Sequence, residues 1–238
     1  MAVLFCHCAY SQIISESVKQ QVLEGLRDAG FAYYEVADLC ELATRRDALF
    51  QQLVETRNRK IIACYPRTIK WLFAAAGSTM PDDTEIFNMR TDSPENILSK
   101  LKQSDKTTVA NVCHSEPGEE SHCAGELKTE KGDWFPWFPV IDYDRCIDCR
   151  QCLDFCLFGV FEPTDDGKVV VKNPRNCKTN CPACARVCPE VAIIFPKFPD
   201  DPINGAEVRN GDVDGQKSGV QIADALKGDI YDKLRQRS

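Results

Sequence analysis

The chain has 238 residues, with 29 Lys and Arg against 36 Asp and Glu, a formal net charge of −7. That balance argues against a nucleic-acid binder, which needs a basic face for phosphates. At 43% hydrophobic and 27% charged residues the chain reads as globular, and no apolar run reaches the roughly 18 residues a membrane helix needs. The first residues lack the basic start and long apolar core of a signal peptide, so a soluble, cytoplasmic protein is expected. Fourteen cysteines in a reducing compartment read as metal ligands or redox groups before disulfides.

In chain order, residues 2–8 read as a first strand. Residues 15–29 carry Val18, Val22, Leu23 and Leu26 on one helical face and stop at Gly30. Residues 31–39 read as a second strand and 41–56 as a helix with Leu42, Leu49, Leu53 and Val54 apolar. A third strand spans 60–65, and Pro66 opens a helix through Ile69, Leu72 and Phe73 to Gly77. A weaker fourth strand covers 85–90. Strand and helix alternate, which predicts an α/β domain with a parallel sheet over residues 1–112. The arginines at 45–46 and the basic run 57–60 are expected to be solvated surface.

Cysteines stand where these strands finish: Cys6 and Cys8 after the first, Cys40 after the second, Cys64 after the third. Ligands collect beyond the carboxyl ends of strands in an open parallel sheet. Four thiolates is the number a [4Fe–4S] cluster needs, so Cys6, Cys8, Cys40 and Cys64 are candidate ligands of such a cluster. The alternative is that they are buried small hydrophobes, as free cysteines often are. Cys6-His7-Cys8 is not the C-x-x-C of a thioredoxin-like motif.

Residues 2–90 resemble the N-terminal domain of the A subunit of heterodisulfide reductase. The resemblance rests on Phe5-Cys6-His7-Cys8, Leu39-Cys40 and the stretch from Ile61 through Cys64-Tyr65-Pro66-Arg67. It implies an additional iron–sulfur site or a docking domain in an electron-transfer complex. No G-x-G-x-x-G follows a strand, so that subunit's flavin domain has no counterpart here. Arg90-Thr91-Asp92-Ser93 stand where the family tends to have another cysteine.

Residues 113–133 are polar and read as a linker or long loop. Cys113, His114, His122 and Cys123 bracket it; their types suit zinc, but the spacing is no familiar ligand pair and a flexible loop is the expectation. Trp134, Phe135, Trp137 and Phe138, interleaved with prolines, are expected to clamp the following module against the first domain, with a partner-docking patch as the alternative.

Eight cysteines fall in two phased motifs within residues 134–199: Cys146-x2-Cys149-x2-Cys152-x3-Cys156 and Cys177-x3-Cys181-x2-Cys184-x3-Cys188-Pro189. Three closely spaced thiolates wrap one face of an iron–sulfur cube, and the fourth cysteine, on the following helix, ligates the other cube. Cluster one is then Cys146, Cys149, Cys152 and Cys188. Cluster two is Cys156, Cys177, Cys181 and Cys184. A pair of structural zinc sites is the alternative, though zinc ligands come as separated C-x2–4-C pairs. Asp144-Arg145-Cys146 matches Arg175-Asn176-Cys177, so the halves read as a pseudo-repeat. An apolar strand is expected after each fourth cysteine, at 158–161 and 191–195. Thr164-Asp165-Asp166-Gly167 reads as a turn whose flanks pair as a hairpin.

On these motifs, residues 138–198 resemble a bacterial-type two-cluster [4Fe–4S] ferredoxin, which implies an α+β ferredoxin-like domain. Two departures stand out: Leu157, not proline, follows Cys156, and three residues separate Cys177 from Cys181. The remaining 200–238 read as a tail with an amphipathic helix carrying Ile222, Leu226, Ile230 and Leu234.

The expected function is relay of single electrons through two [4Fe–4S] clusters, with a third on the N-terminal cysteines as an addition. Redox partner proteins are implied, with donor and acceptor unnamed. Three alternatives compete: a subunit of a multisubunit, heterodisulfide-reductase-like oxidoreductase; an enzyme acting on thiols or disulfides through the N-terminal cysteines; and a redox sensor. With three histidines and no catalytic triad or flavin fingerprint, a carrier or subunit is expected before a stand-alone enzyme.

Overall fold

A computed structural model describes residues 3–105, 124–126 and 133–214. It divides into two compact units, at residues 1–135 and 136–238. Among the described residues no helix is long and apolar enough to cross a membrane.

In the first unit, β1 (Val3–Cys6), β2 (Tyr33–Val36), β3 (Lys60–Ala63), β4 (Glu85–Asn88) and β5 (Ala124–Glu126) form one sheet in the order β4-β3-β1-β2-β5. All four pairings are parallel. The sheet expected from residues 1–112 is present, and β5 joins it from inside the stretch expected to be a linker. The chain moves from β1 to β2 on one side and then to β3 on the other. The carboxyl ends of β1 and β3 therefore flank the point where the winding reverses, the crevice in which such sheets hold ligands.

Helices cover both faces. Val3, Phe5, Ile62 and Phe87 pack against Val22, Leu23 and Leu26 of α1 (Glu16–Asp28) and Ile97 and Leu101 of α5 (Pro94–Asp105). Ser15 caps α1 by accepting the Val18 amide, and Gly30 leaves the helix with φ 70°. Gly25 lets α5 approach, since a β-carbon there would strike Leu98. Alternation sends Leu4 and Ile61 to the opposite face. The buried Leu39 and Leu42 of α2 (Leu39–Thr44), Phe50 and Leu53 of α3 (Leu49–Glu55), and Ile69, Leu72 and Phe73 of α4 (Pro66–Ala75) supply the second core. Phe50 meets Phe73 edge-on at 5.0 Å.

Three expectations are corrected here. The helix expected over 41–56 is two helices, because Arg46 takes φ 51° and Asp47 accepts the Leu49 amide at 3.0 Å, closing α2 and opening α3. The second strand ends at Val36, because Asp38 accepts the Glu41 amide at 3.1 Å and starts α2 two residues before Cys40. The run 57–60 is not all surface: Arg59 and Lys60 are buried, paired with Asp83 and Glu85.

The second unit holds β6 (Val140–Ile141) antiparallel to β9 (Ile193–Ile194), and the hairpin β7 (Phe161–Pro163) with β8 (Val169–Val171), turning at Gly167 with φ 85°. Both strands after the fourth cysteines start later than expected, at Phe161 and Ile193. The third residue after each of those cysteines, Gly159 and Val191, is left-handed and delays the strand. Two short helices, α6 (Gln151–Phe155) and α7 (Ala183–Val187), pack together. Trp137 and Phe138 are buried, and the Trp137 ring lies 5.3 Å from Phe195 and 6.3 Å from Phe198. Trp137 thus contributes to the core of its own unit. The C-terminal helix expected around 222–234 lies outside the described residues, as do Cys113, His114, His122 and Cys123.

Candidate metal centres

The first motif winds because Asp148 and Arg150 are left-handed, at φ 50° and 61°. Left-handed residues set between ordinary ones turn successive amides inward. The backbone amide of Asp148 draws the Cys146 thiol down, and that of Leu153 the Cys152 thiol, against the rise that burial imposes on both. Cys152 lies on α6, and Cys156 follows its last residue; Cys184 lies on α7, and Cys188 follows its last residue. Since α6 and α7 pack side by side, each chain exit is delivered to the neighbouring motif.

The result is two hollows in the second unit. One is lined by Cys146, Cys149, Cys152 and Cys188 and encloses about 330 Å³ of space open to solvent. The other is lined by Cys156, Cys177, Cys181 and Cys184 and encloses about 490 Å³. Each gathers three cysteines from one motif and one from the other. Phe155, Leu157 and Phe158 also line the second, and Leu157 is 92% exposed.

The thiols in each hollow oppose one another's ionisation. Burial first, then the charges of Cys188, Cys146 and Cys149, pushes Cys152 up to about 12. Burial, then Cys181 and Cys156, pushes Cys177 up to about 12. Cys184 is also raised, by burial and then by Cys177, Cys152 and Cys156. Burial raises Cys188 while the amides of Ala192, Glu190 and Ile193 draw it back. A cationic core at the centre reverses the sign of this repulsion and takes the place of the protons. A single zinc would draw its sulfurs to about 3.8 Å of one another, from a Zn–S bond of about 2.3 Å in a tetrahedron. Among the described residues no group of three or more His, Cys, Asp or Glu gathers closely enough for one metal ion. The donor set and the hollows would suit a polynuclear iron–sulfur core.

Three residues around the first hollow were not singled out as functional from the sequence. Arg145 Nε donates to the Glu190 carbonyl at 2.8 Å. Asp148 Oδ1 accepts the Val169 amide at 3.2 Å and lies 3.7 Å from Cys146 Sγ. Tyr143 donates its hydroxyl to the Val169 carbonyl at 3.2 Å. The pseudo-repeat carried one signal, Arg145 standing directly before the first cysteine.

In the first unit Cys6, Cys8, Cys40 and Cys64 are all buried. Cys6 Sγ accepts the Leu39 amide, with 3.4 Å between N and S, at the start of α2. Its thiol is raised well above the ordinary value by burial, then by Asp38 and Cys8. Cys8, at φ 47°, lies in the apolar layer with Val3, Phe5 and Ile14. Cys40 sits in the first turn of α2, a correction to its expected place at a strand end. Cys64 follows β3 directly, one step beyond the level of Cys6 on the adjacent β1. His7, between Cys6 and Cys8, has its Nε2 2.6 Å from Glu35 Oε2.

Residues 138–218 match the 4Fe-4S dicluster domain family. The chain is 52% identical over 61 residues to an uncharacterized ferredoxin of Methanocaldococcus jannaschii, covering 25% of this chain and 41% of that protein. It therefore spans about two fifths of that relative's length. A ferredoxin of Methanothermococcus thermolithotrophicus is 46% identical over 56 residues, 23% of this chain and 90% of that one. Pyruvate synthase subunit PorD of M. jannaschii is 29% identical over 86 residues, 36% of this chain and 90% of that subunit.

Proposed function

The chain belongs, through residues 138–218, to the 4Fe-4S dicluster domain family, and from that premise we propose that it relays single electrons between redox partners. Cys146, Cys149, Cys152 and Cys188 would hold one [4Fe–4S] cluster; Cys156, Cys177, Cys181 and Cys184 would hold the other. The single observation that carries this reading is the pair of hollows, each lined by four of the eight cysteines. When bound, such a cluster supplies one-electron redox chemistry at a potential set by its hydrogen bonds and solvent exposure. The chain's own part is to hold, shield and tune. Val160, Ala185, Ala192 and Ile193 are buried around the cysteines and keep water away. The exposed Phe155, Leu157 and Phe158 offer an apolar contact beside Cys156, where a partner's redox centre can approach.

The likeness to PorD supports a place as the electron-transfer subunit of a larger oxidoreductase. Charge gives such docking little long-range steering from the module itself. Residues 138–198 carry eight acidic and eight basic side chains, so the excess acid of the chain lies elsewhere in the sequence. A second reading adds a cluster on Cys6, Cys8, Cys40 and Cys64. What favours it is that all four thiols are buried, that Cys6 ends β1, and that Cys8 and Cys64 come just after β1 and β3, where the winding reverses.

The test is iron and acid-labile sulfide per chain on anaerobically purified protein. About eight irons are expected for two clusters and about twelve for three. Two zincs and no sulfide would overturn the relay.

A further inference from the structure

The two cysteines that cross between motifs are followed by segments of equal length but unequal character. After Cys156 come Leu157, Phe158, Gly159 and Val160; after Cys188 come Pro189, Glu190, Val191 and Ala192. The third residue is left-handed in both, φ 63° at Gly159 and φ 53° at Val191. Glycine adopts that conformation freely. For a β-branched residue it is a true outlier, held only where the surroundings over-determine it. Here they do. Val191 is 1% exposed and its amide donates to the Cys188 carbonyl at 3.2 Å. The Glu190 carbonyl before it takes Arg145 Nε at 2.8 Å, and the Ala192 carbonyl after it takes the Asp142 amide at 2.8 Å.

What the strained turn achieves is visible at the sulfur. The Ala192 amide is aimed at Cys188 Sγ, 3.2 Å away and buried. Among the described residues the corresponding amide, that of Val160, makes no such bond to Cys156 Sγ. An N–H···S bond favours the more negative, reduced state of a cluster and so raises its potential. Resting on the two-cluster reading above, we propose that Val191 is a positioning residue: its left-handed backbone holds the Ala192 amide on Cys188 Sγ and raises the potential of the cluster bound by Cys146, Cys149, Cys152 and Cys188, an adjustment its neighbour lacks. The Asp148 carboxylate beside Cys146 pulls the same centre the other way, so the share of the amide shows when that amide is removed.

The experiment is an anaerobic redox titration of the full-length holoprotein, each cluster followed by its electron paramagnetic resonance signal. Ala192→Pro deletes the N–H; an ester linkage in place of the Val191–Ala192 peptide deletes the same N–H with the shape kept, and decides the matter if the proline variant does not assemble. Expected is a fall in one midpoint only, about a tenfold change in that cluster's oxidised-to-reduced ratio at fixed potential, or ~59 mV for one electron. Val191→Pro, whose ring forbids a positive φ, lowers the same midpoint, whereas Val191→Gly, which keeps access to the left-handed region, does not; a Val191→Pro protein with its clusters in place and that midpoint unmoved would overturn the positioning role. The proposal is overturned if the N–H is removed and neither midpoint moves, or if both move equally. An unaltered protein with fewer than about eight irons per chain would instead overturn the two-cluster reading itself.

Discussion

The guanidinium of Arg145 and the backbone carbonyl of Glu190 meet at 2.8 Å, tying the residue before the first cysteine motif to the turn after the last cysteine of the second. Forty-five residues apart in sequence, they hold Cys146 and Cys188 at one hollow. Hydrogen bonds to charged groups contribute roughly 1.5–3 kcal/mol. Arg145→Ala should therefore destabilise the module by about 2 kcal/mol and release iron from the first site before the second. Iron retained under a chelator, followed with time, checks this; uniform loss from both sites would count against it.

The crossing of Cys156 and Cys188 makes a pairwise prediction. Cys188→Ala and Cys146→Ala should abolish the same paramagnetic signal, and Cys156→Ala and Cys177→Ala the other. Matching each variant's spectrum to the parent protein decides the assignment. If Cys188→Ala instead removed the signal lost in Cys177→Ala, the ligand sets would be wrong.

Tyr143 titrates late. Its hydroxyl is pushed up to about 12, chiefly by burial and then by the charges of Cys146, Asp148 and Cys152. A phenol whose folded value lies above its unfolded value contributes stability that is fully present below pH ~10 and lost as pH rises towards ~12. The phenolate absorbance that Tyr143→Phe removes from folded protein should appear above pH ~10. Tyr143→Phe should flatten the stability loss between those two values, seen as thermal midpoint against pH.

Trp137 is the large side chain of the module's apolar base, stacked near Phe195 and Phe198. Truncating a buried tryptophan to alanine costs about 3–5 kcal/mol. Trp137→Ala should lower the module's unfolding midpoint by that order and shorten cluster lifetime in air, while the far-ultraviolet signal of the first unit persists.

The two runs of cysteines were legible in the sequence because their spacing is short and regular, and spacing survives in one dimension. Cys146 to Cys156 and Cys177 to Cys188 needed no structure to be grouped. Strands β1 to β4 and helices α1 and α4 were legible for a different reason: their apolar residues recur with the period of the element. What failed were local exceptions to those periods. Asp38 reads like the end of a strand and is a helix cap, which moves Cys40 onto α2. Arg46 reads as helical and is left-handed. Ala124–Glu126 is too short for any period and lies in polar sequence, yet the open edge of β2 recruits it. Val191 is the sharpest case, because its β-branched side chain argues against the conformation it adopts. Places where local preference and structure disagree tend to be functional.

The hairpin between the two motifs turns at Gly167, leaving one half of the module on either side. A protease cutting there would part each trio of cysteines from the fourth that completes it. Neither fragment could keep a full complement alone, and each would own what the other needs. On the proposed ligand sets the hairpin would then be a seam: each half carries three ligands of one site and lends its last cysteine across it, so an intact chain between Cys156 and Cys177 would be what keeps the two loans in place.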